Sequence, residues 1–257
     1  MKVTFDSNIW RWVVSPEDTP DPDKKDLAIY REINRLCLDG LIDGYLSGSM
    51  FAWEAVKRSE RKDVLSKDCG KIVLTGLEEV GDCLRRTITI GPDPTAYPGT
   101  PEKFIYYLEK ARRLGFKVMR IPRFGYLSNP DLTEKYWADY DVSIGERFAD
   151  VVEVIENRGC GIAQLQSIGH RYNAINWLEA MKIAPASEID AVAKAVAEWA
   201  DGDSIAIHLA YENDFFCTKD IAKGAGQRSV MASKNVEYLV QMFDLKKVSP
   251  EELVCVF

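Results

Sequence analysis

The spacing of apolar and polar positions divides the chain into short strands and amphipathic helices. Lys2 to Phe5 is a brief apolar-rich run that ends in the polar group Asp6-Ser7-Asn8, which predicts an N-terminal strand with a turn at its C-terminal end. Residues 16–26 carry prolines and acids with no periodicity and are expected to form a solvated loop. Leu27, Ile29, Ile33, Leu36 and Leu41 recur at near-helical spacing, and Gly40 and Gly44 interrupt the pattern at its end. Tyr45-Leu46-Ser47 predicts a second strand. Ser49 is placed to cap a helix that starts at Met50 and contains Trp53, Glu54 and Val56.

Farther along, Lys57 to Lys71 reads as a charged continuation of that helix or its exit, and Ile72–Leu74 and Ile88–Ile90 are short apolar runs. The Gly- and Pro-rich stretch 91–101 predicts a loop. Glu102–Leu114 predicts a helix ended by Gly115, and Phe116–Ile121 a strand closed by Pro122. After an irregular aromatic stretch, helices are expected from Phe148 to Ile155, Ile175 to Met181 and Ile189 to Trp199. A further helix, Ser204–Tyr211, is expected to open at Asp201-Gly202-Asp203. Phe215-Phe216-Cys217 reads as a compact strand, Val236–Phe243 as a helix and Ser249–Leu253 as a final turn or helix. Strands alternating with helices imply an α/β fold, a three-layer α/β/α arrangement around a central parallel sheet.

Composition narrows the chemistry. The 257 residues carry 33 Lys and Arg against 40 Asp and Glu, a formal net charge of −7, so a polyanion has to be met by local basic patches. No apolar run is long enough to span a bilayer, and the N-terminus lacks the apolar stretch of a secretory signal. The six cysteines form no CxxC pair, which points to reduced thiols and a cytoplasmic location. With only His170 and His208 present, three-His zinc sites are excluded and hydrolytic chemistry falls to carboxylates.

Ligands of an open parallel sheet collect beyond the C-terminal ends of its strands. Asp6 and Asp220 follow two predicted strands, and Glu54 and Asp203 stand near two predicted helix starts, so all four are expected at one edge. Gathered carboxylates repel one another unless a cation compensates, and oxygen ligands suit Mg²⁺ or Mn²⁺. Acids at such places also cap helices for purely structural reasons.

In this order the residues resemble the PIN-domain nucleases. The resemblance rests on Val3-Thr4-Phe5-Asp6-Ser7-Asn8, on Glu54 within Ser49–Val56, on Asp203 within Asp203–Ala210, on Thr218-Lys219-Asp220 and on the closing segment Ser249–Leu253. It implies a metal-dependent endoribonuclease in which Asp6, Glu54, Asp203 and Asp220 bind one or two Mg²⁺ or Mn²⁺ ions, and a metal-bound water attacks the RNA phosphodiester. Asn8 and Thr218 match the polar residues that support those ligands, and Asp201 is an alternative to Asp203. The segment between Glu54 and Asp203 is far longer than compact members need. Residues 1–70 and 195–257 are therefore expected to form the PIN-like core, and 71–194 an insertion with additional helices.

Lys57, Arg58, Arg112, Arg113, Lys117, Arg120 and Arg123 are candidate phosphate contacts, and Trp53 and Tyr126 candidate stacking surfaces for unpaired bases. RNA is the expected partner, with single-stranded DNA, a second copy of the chain and an antitoxin-like inhibitor as further candidates. A non-catalytic PIN-like RNA-binding scaffold is the alternative. A haloacid-dehalogenase-type phosphatase with Asp6 as nucleophile fits less well, because Asn8 stands where that chemistry needs an acid.

Overall fold

The computed structural model describes residues 1–66, 71–81, 83–92, 99–123, 129, 131–220 and 226–257. Seven strands are described in it: β1 (Lys2–Phe5), β2 (Asp43–Ser47), β3 (Lys71–Val80), β4 (Cys83–Pro92), β5 (Lys117–Met119), β6 (Phe215–Cys217) and β7 (Lys247–Val248). Five of them form one sheet in the order β5-β2-β1-β6-β7, and every pair in it is parallel. Thr4 of β1 stands beside Tyr45 of β2 on one side and Phe216 of β6 on the other. The chain leaves the centre of the sheet toward β5 and later returns to the opposite side of β1. The order therefore reverses between β1 and β6, where a doubly wound sheet opens its crevice.

Ten α-helices are described: α1 (Trp10–Val14), α2 (Leu27–Leu38), α3 (Arg61–Ser66), α4 (Glu102–Arg113), α5 (Val142–Asn157), α6 (Ala163–His170), α7 (Trp177–Ile183), α8 (Ile189–Ala210), α9 (Ser233–Phe243) and α10 (Pro250–Val254). The period of two along each strand sorts side chains to the two faces of the sheet. Val3, Phe5, Leu46, Val118 and Cys217 pack with α1, α2, α4 and α10. Met119 and Phe216 pack on the other face with α5, α8 and α9, completing the three layers. The N-terminal half of α8 extends past the sheet and builds a third core with α3, α6 and α7 around Trp53 and Trp199.

On the first face, Phe5 stacks on Phe116 with ring centroids 5.3 Å apart. The Phe116 ring lies so close to β2 that a Cβ on Gly44 would collide with it, so this position requires glycine. Among the described residues no helix is long and apolar enough to cross a membrane.

The structure departs from the sequence-based expectations in several places. Asp201-Gly202-Asp203 opens no helix, because α8 runs unbroken through it from Ile189 to Ala210. Burial of both halves of this helix against two cores outweighs the weak local break at Gly202. The two apolar runs after residue 71 are parts of longer strands that pair as an antiparallel hairpin, β3 with β4, and β4 takes in Gly91 and Pro92 of the expected loop. The sheet takes β5 from within 71–194, the stretch expected to be an insertion, so its core is assembled from three separate parts of the chain. Helix α6 and strand β7 carry too little periodicity to be read locally. The closing segment forms α10 with a full capping box between Ser249 and Glu252.

Candidate functional site

Asp6 emerges directly from β1, where its backbone N–H donates to the carbonyl of Cys217 on β6 (3.0 Å). Its carboxylate is buried and accepts from three donors: Ser7 N–H on Oδ1 (2.7 Å), and the Asn8 amide (2.9 Å) and Thr218 hydroxyl (2.6 Å) on Oδ2. The Asn8 amide also reaches Thr218 Oγ1 (3.1 Å), and Thr218 Oγ1 accepts from the Asp220 backbone N–H (2.9 Å). Asn8 Oδ1 accepts from the Lys219 backbone N–H (3.2 Å). The loops after β1 and β6 are thus laced together at the point where the strand order reverses, with Asn8 and Thr218 holding Asp6 in place.

Burial pushes the Asp6 carboxyl above its usual range; the Thr218 and Ser7 hydrogen bonds work against this, and the charge of Asp220 adds to it. Asp220 therefore shares the electrostatic neighbourhood of Asp6. It also acts on Glu198 of α8, a buried acid whose carboxyl is raised first by desolvation. Glu198 accepts from the backbone N–H of Val230. Its position inside α8 carries no local signal in the sequence.

Asp203 is placed differently. It lies in the interior of α8, nearly inaccessible, and the guanidinium of Arg123 grips both of its oxygens, Nε to Oδ2 at 3.2 Å and Nη2 to Oδ1 at 2.7 Å. Arg123 Nη1 holds Glu156 of α5 at 3.0 Å, and the guanidinium carbon sits 5.8 Å from the ring centroids of both Phe148 and Trp199. Desolvation carries the Asp203 carboxyl up to about 6 despite the Arg123 charge, with Glu156 adding to the rise.

Ser49 caps no helix. The segment after it, Met50–Glu54, is a single π-helical turn, with Ala55 N–H bonded to Met50 O (3.2 Å). The Ser49 hydroxyl instead donates to Ala200 O (3.1 Å) and contacts the hydroxyls of Ser47 and Ser204, each at 2.7 Å, tying the end of β2 to α8. The backbone of Glu54 ends this turn; its side chain lies outside the described residues.

Taken as a metal site, the described residues do not fit. Among them no three His, Cys, Asp or Glu side chains converge on one point. Asp6 is satisfied by protein donors, Asp203 by Arg123, and Asp201 is half-buried elsewhere on α8.

The expected basic rim is dispersed as well. Arg112 and Arg113 close α4, and Lys117 lines a cavity with Lys2 and Glu212, at the edge where β1 begins rather than where it ends. Lys57, Arg58, Arg112, Lys117 and Arg120 pair with Glu60, Asp190, Glu109, Asp139 and Glu134, at distances from 2.8 Å for Arg120 to 3.9 Å for Lys117. Arg113 is exposed, whereas Arg123 is turned inward. A run of cations along the chain does not say at which end of a strand, or on which side of a helix, each one emerges in space.

Trp53 is wholly buried, its ring 4.8 Å from Trp199, and forms core rather than a stacking surface; Tyr126 lies outside the described residues. His208 is buried beneath the sheet against Thr4 (2.9 Å) and is held down to a pKa of about 3 by desolvation. The Cys217 thiol is raised by burial and is chemically quiet. No family model, no curated protein and no solved structure matches this chain.

Proposed function

We propose that this chain is a PIN-like endoribonuclease that hydrolyses RNA phosphodiester bonds with Mg²⁺ or Mn²⁺ as its cofactor, and that it works in the cytoplasm. The observation that carries this reading is that Asp6 and Asp220 follow the adjacent ends of β1 and β6 and are linked through Thr218, at the switch point of a parallel sheet. Asp6 and Asp220 offer the oxygen donors that a hard cation takes, and the Asn8–Thr218 lacing fixes the first of them. The ordered set Asp6, Glu54, Asp203 and Asp220 supports the same family. RNA is the proposed partner, with single-stranded DNA as the closest alternative polyanion.

The test is a calorimetric Mn²⁺ titration of the wild type beside an Asp6→Asn/Asp220→Asn double variant, followed by RNA cleavage assays. Saturable binding lost in the double variant, together with metal-dependent cleavage, is expected. A folded wild type that neither binds Mn²⁺ nor cuts RNA overturns the reading.

A second reading, a non-catalytic PIN-like RNA-binding scaffold, is favoured by one observation: Asp203 already holds a cation supplied by the protein itself. RNA affinity that needs no metal, with no cleavage under any condition, would select it.

A further inference from the structure

We propose that the outer edge of β3 is a dimer interface. It pairs antiparallel with β3 of a second copy of the chain, about a two-fold axis at Thr75, and joins the two hairpins into one four-stranded sheet.

The hairpin of β3 and β4 forms a sheet of its own. Each strand is ten residues long, and they pair one to one from Lys71 with Pro92 to Val80 with Cys83, without a bulge. Among the described residues neither strand pairs with any other, so each presents one edge of backbone N–H and C=O groups, a template for a further strand. A two-stranded ribbon is only marginally stable in water, and added strands stabilise it. Glu79, Gly81 and Leu84 near its closed end are exposed, Leu84 by 70%.

The two edges differ in chemistry. The only charged residues of β4 are Arg85 and Arg86, and the strand ends in Gly91-Pro92. Two copies of β4 would therefore meet with no acid between them and with a residue that donates no hydrogen bond. Strand β3 has no proline and carries opposite charges at its two ends, Lys71 against Glu78 and Glu79. A parallel pair of β3 strands would set like charges side by side, whereas an antiparallel pair sets opposite ones.

Side-chain alternation then fixes the register. Residues directly opposite each other lie on the same face of a sheet, so Lys71 can meet Glu79 of the second copy but not Glu78. That register sets Val73 opposite Leu77 and Thr75 opposite itself, and the two-fold axis repeats every unlike pair. Opposite charges, aliphatic pairs and Thr–Thr are pairings that stabilise adjacent strands. A contact of this symmetry closes on itself, so assembly stops at two copies.

The experiment is sedimentation equilibrium of the full chain over a range of concentrations, with circular dichroism of each variant. Wild type, Lys71→Glu, Glu79→Lys and the double variant Lys71→Glu/Glu79→Lys are compared. Wild type is expected to show a reversible monomer–dimer equilibrium. Each single reversal turns two attractive cross-strand pairs into two repulsive ones and is expected to weaken dimerisation about tenfold. The double variant exchanges the charges while keeping them complementary, and dimerisation is expected to return. A monomeric wild type, a dimer indifferent to both single reversals, or assemblies larger than two overturn the proposal; the last would mean that β3 of one copy pairs with β4 of the next. If the double variant does not recover, Thr75→Cys decides. Opposite Cα atoms of an antiparallel pair lie about 4.5–5.5 Å apart, within the span of a disulfide. Oxidised glutathione is therefore expected to cross-link this variant into a covalent dimer beyond any formed by wild type, and absence of that product overturns the proposal.

Discussion

The hydroxyl of Thr218 donates to Oδ2 of Asp6 at 2.6 Å across a separation of 212 residues, closing the crevice between the two strands on either side of the switch point. Asp6→Asn keeps the size of the side chain but removes its charge and one of its acceptor oxygens. RNA cleavage is expected to fall by a factor of about a hundred or more, while stability changes by only about 1 kcal/mol, the net worth of a hydrogen bond. Cleavage rates and urea denaturation of the same preparation check both halves.

Thr218→Val separates positioning from charge. It leaves Asp6 ionisable but removes the donor that lowers its pKa, so the Asp6 carboxyl should titrate at higher pH than in wild type. The acid limb of the pH–rate profile is expected to move upward, with activity lost at a higher pH than in wild type and regained as the pH is raised further. A profile that drops uniformly at every pH would mean that Thr218 acts on the fold instead.

Arg123 and Asp203 form a buried pair, and removing one partner strands the other. In the absence of metal, Arg123→Met is expected to cost about 3–5 kcal/mol in urea denaturation, whereas an Arg123→Met/Asp203→Leu double variant recovers most of that loss. Equal losses in the single and double variants would show that packing against Phe148 and Trp199, not charge, accounts for the effect.

His208 sets part of the acid sensitivity. Its pKa is near 6.5 in an unfolded chain and about 3 in the fold, where desolvation keeps the ring neutral and the charge of Asp214 opposes only weakly. The unfolded state therefore takes up the proton first, and stability from this residue is lost as pH falls below 6.5. Between pH 6.5 and 5 the loss is about 2 kcal/mol, from roughly 1.4 kcal/mol per pH unit. His208→Gln can retain a hydrogen bond to Thr4 and does not titrate, so its stability should fall by about that much less over the same interval. Asp203, Asp6 and Glu198 have raised values and shift stability the other way in acid, but they are common to both proteins and cancel in the difference.

Ser49 joins Ser47 at the end of β2 to Ala200 and Ser204 inside α8 through one buried hydroxyl. Ser49→Ala leaves those partners short of a bond in a dry site and is expected to cost about 1–3 kcal/mol. Hydrogen exchange at the end of β2 should quicken with it, and unchanged exchange there would place the effect elsewhere.

Local pattern along the chain carries part of the fold and no more. Short apolar runs bounded by polar or turn residues marked β1, β2, β5 and β6; helical spacing marked α2, α4 and α9; the motif Ser249-Pro250-Glu251-Glu252 wrote the last cap. These elements depend on interactions within a few residues, and their alternation was enough to imply a parallel sheet between helices. The places of Asp6, Asn8, Thr218 and Asp220 were legible for the same reason, since each lies just past a strand whose end is locally marked. Tertiary packing alone decided the rest. Two hydrophobic cores hold α8 straight through Gly202, which puts Asp203 in a helix interior. The chain brings Arg123 from 80 positions away to neutralise it. Desolvating a carboxylate is costly, so a buried acid takes whichever cation the fold delivers to it, and that delivery depends on long-range packing that no local window contains.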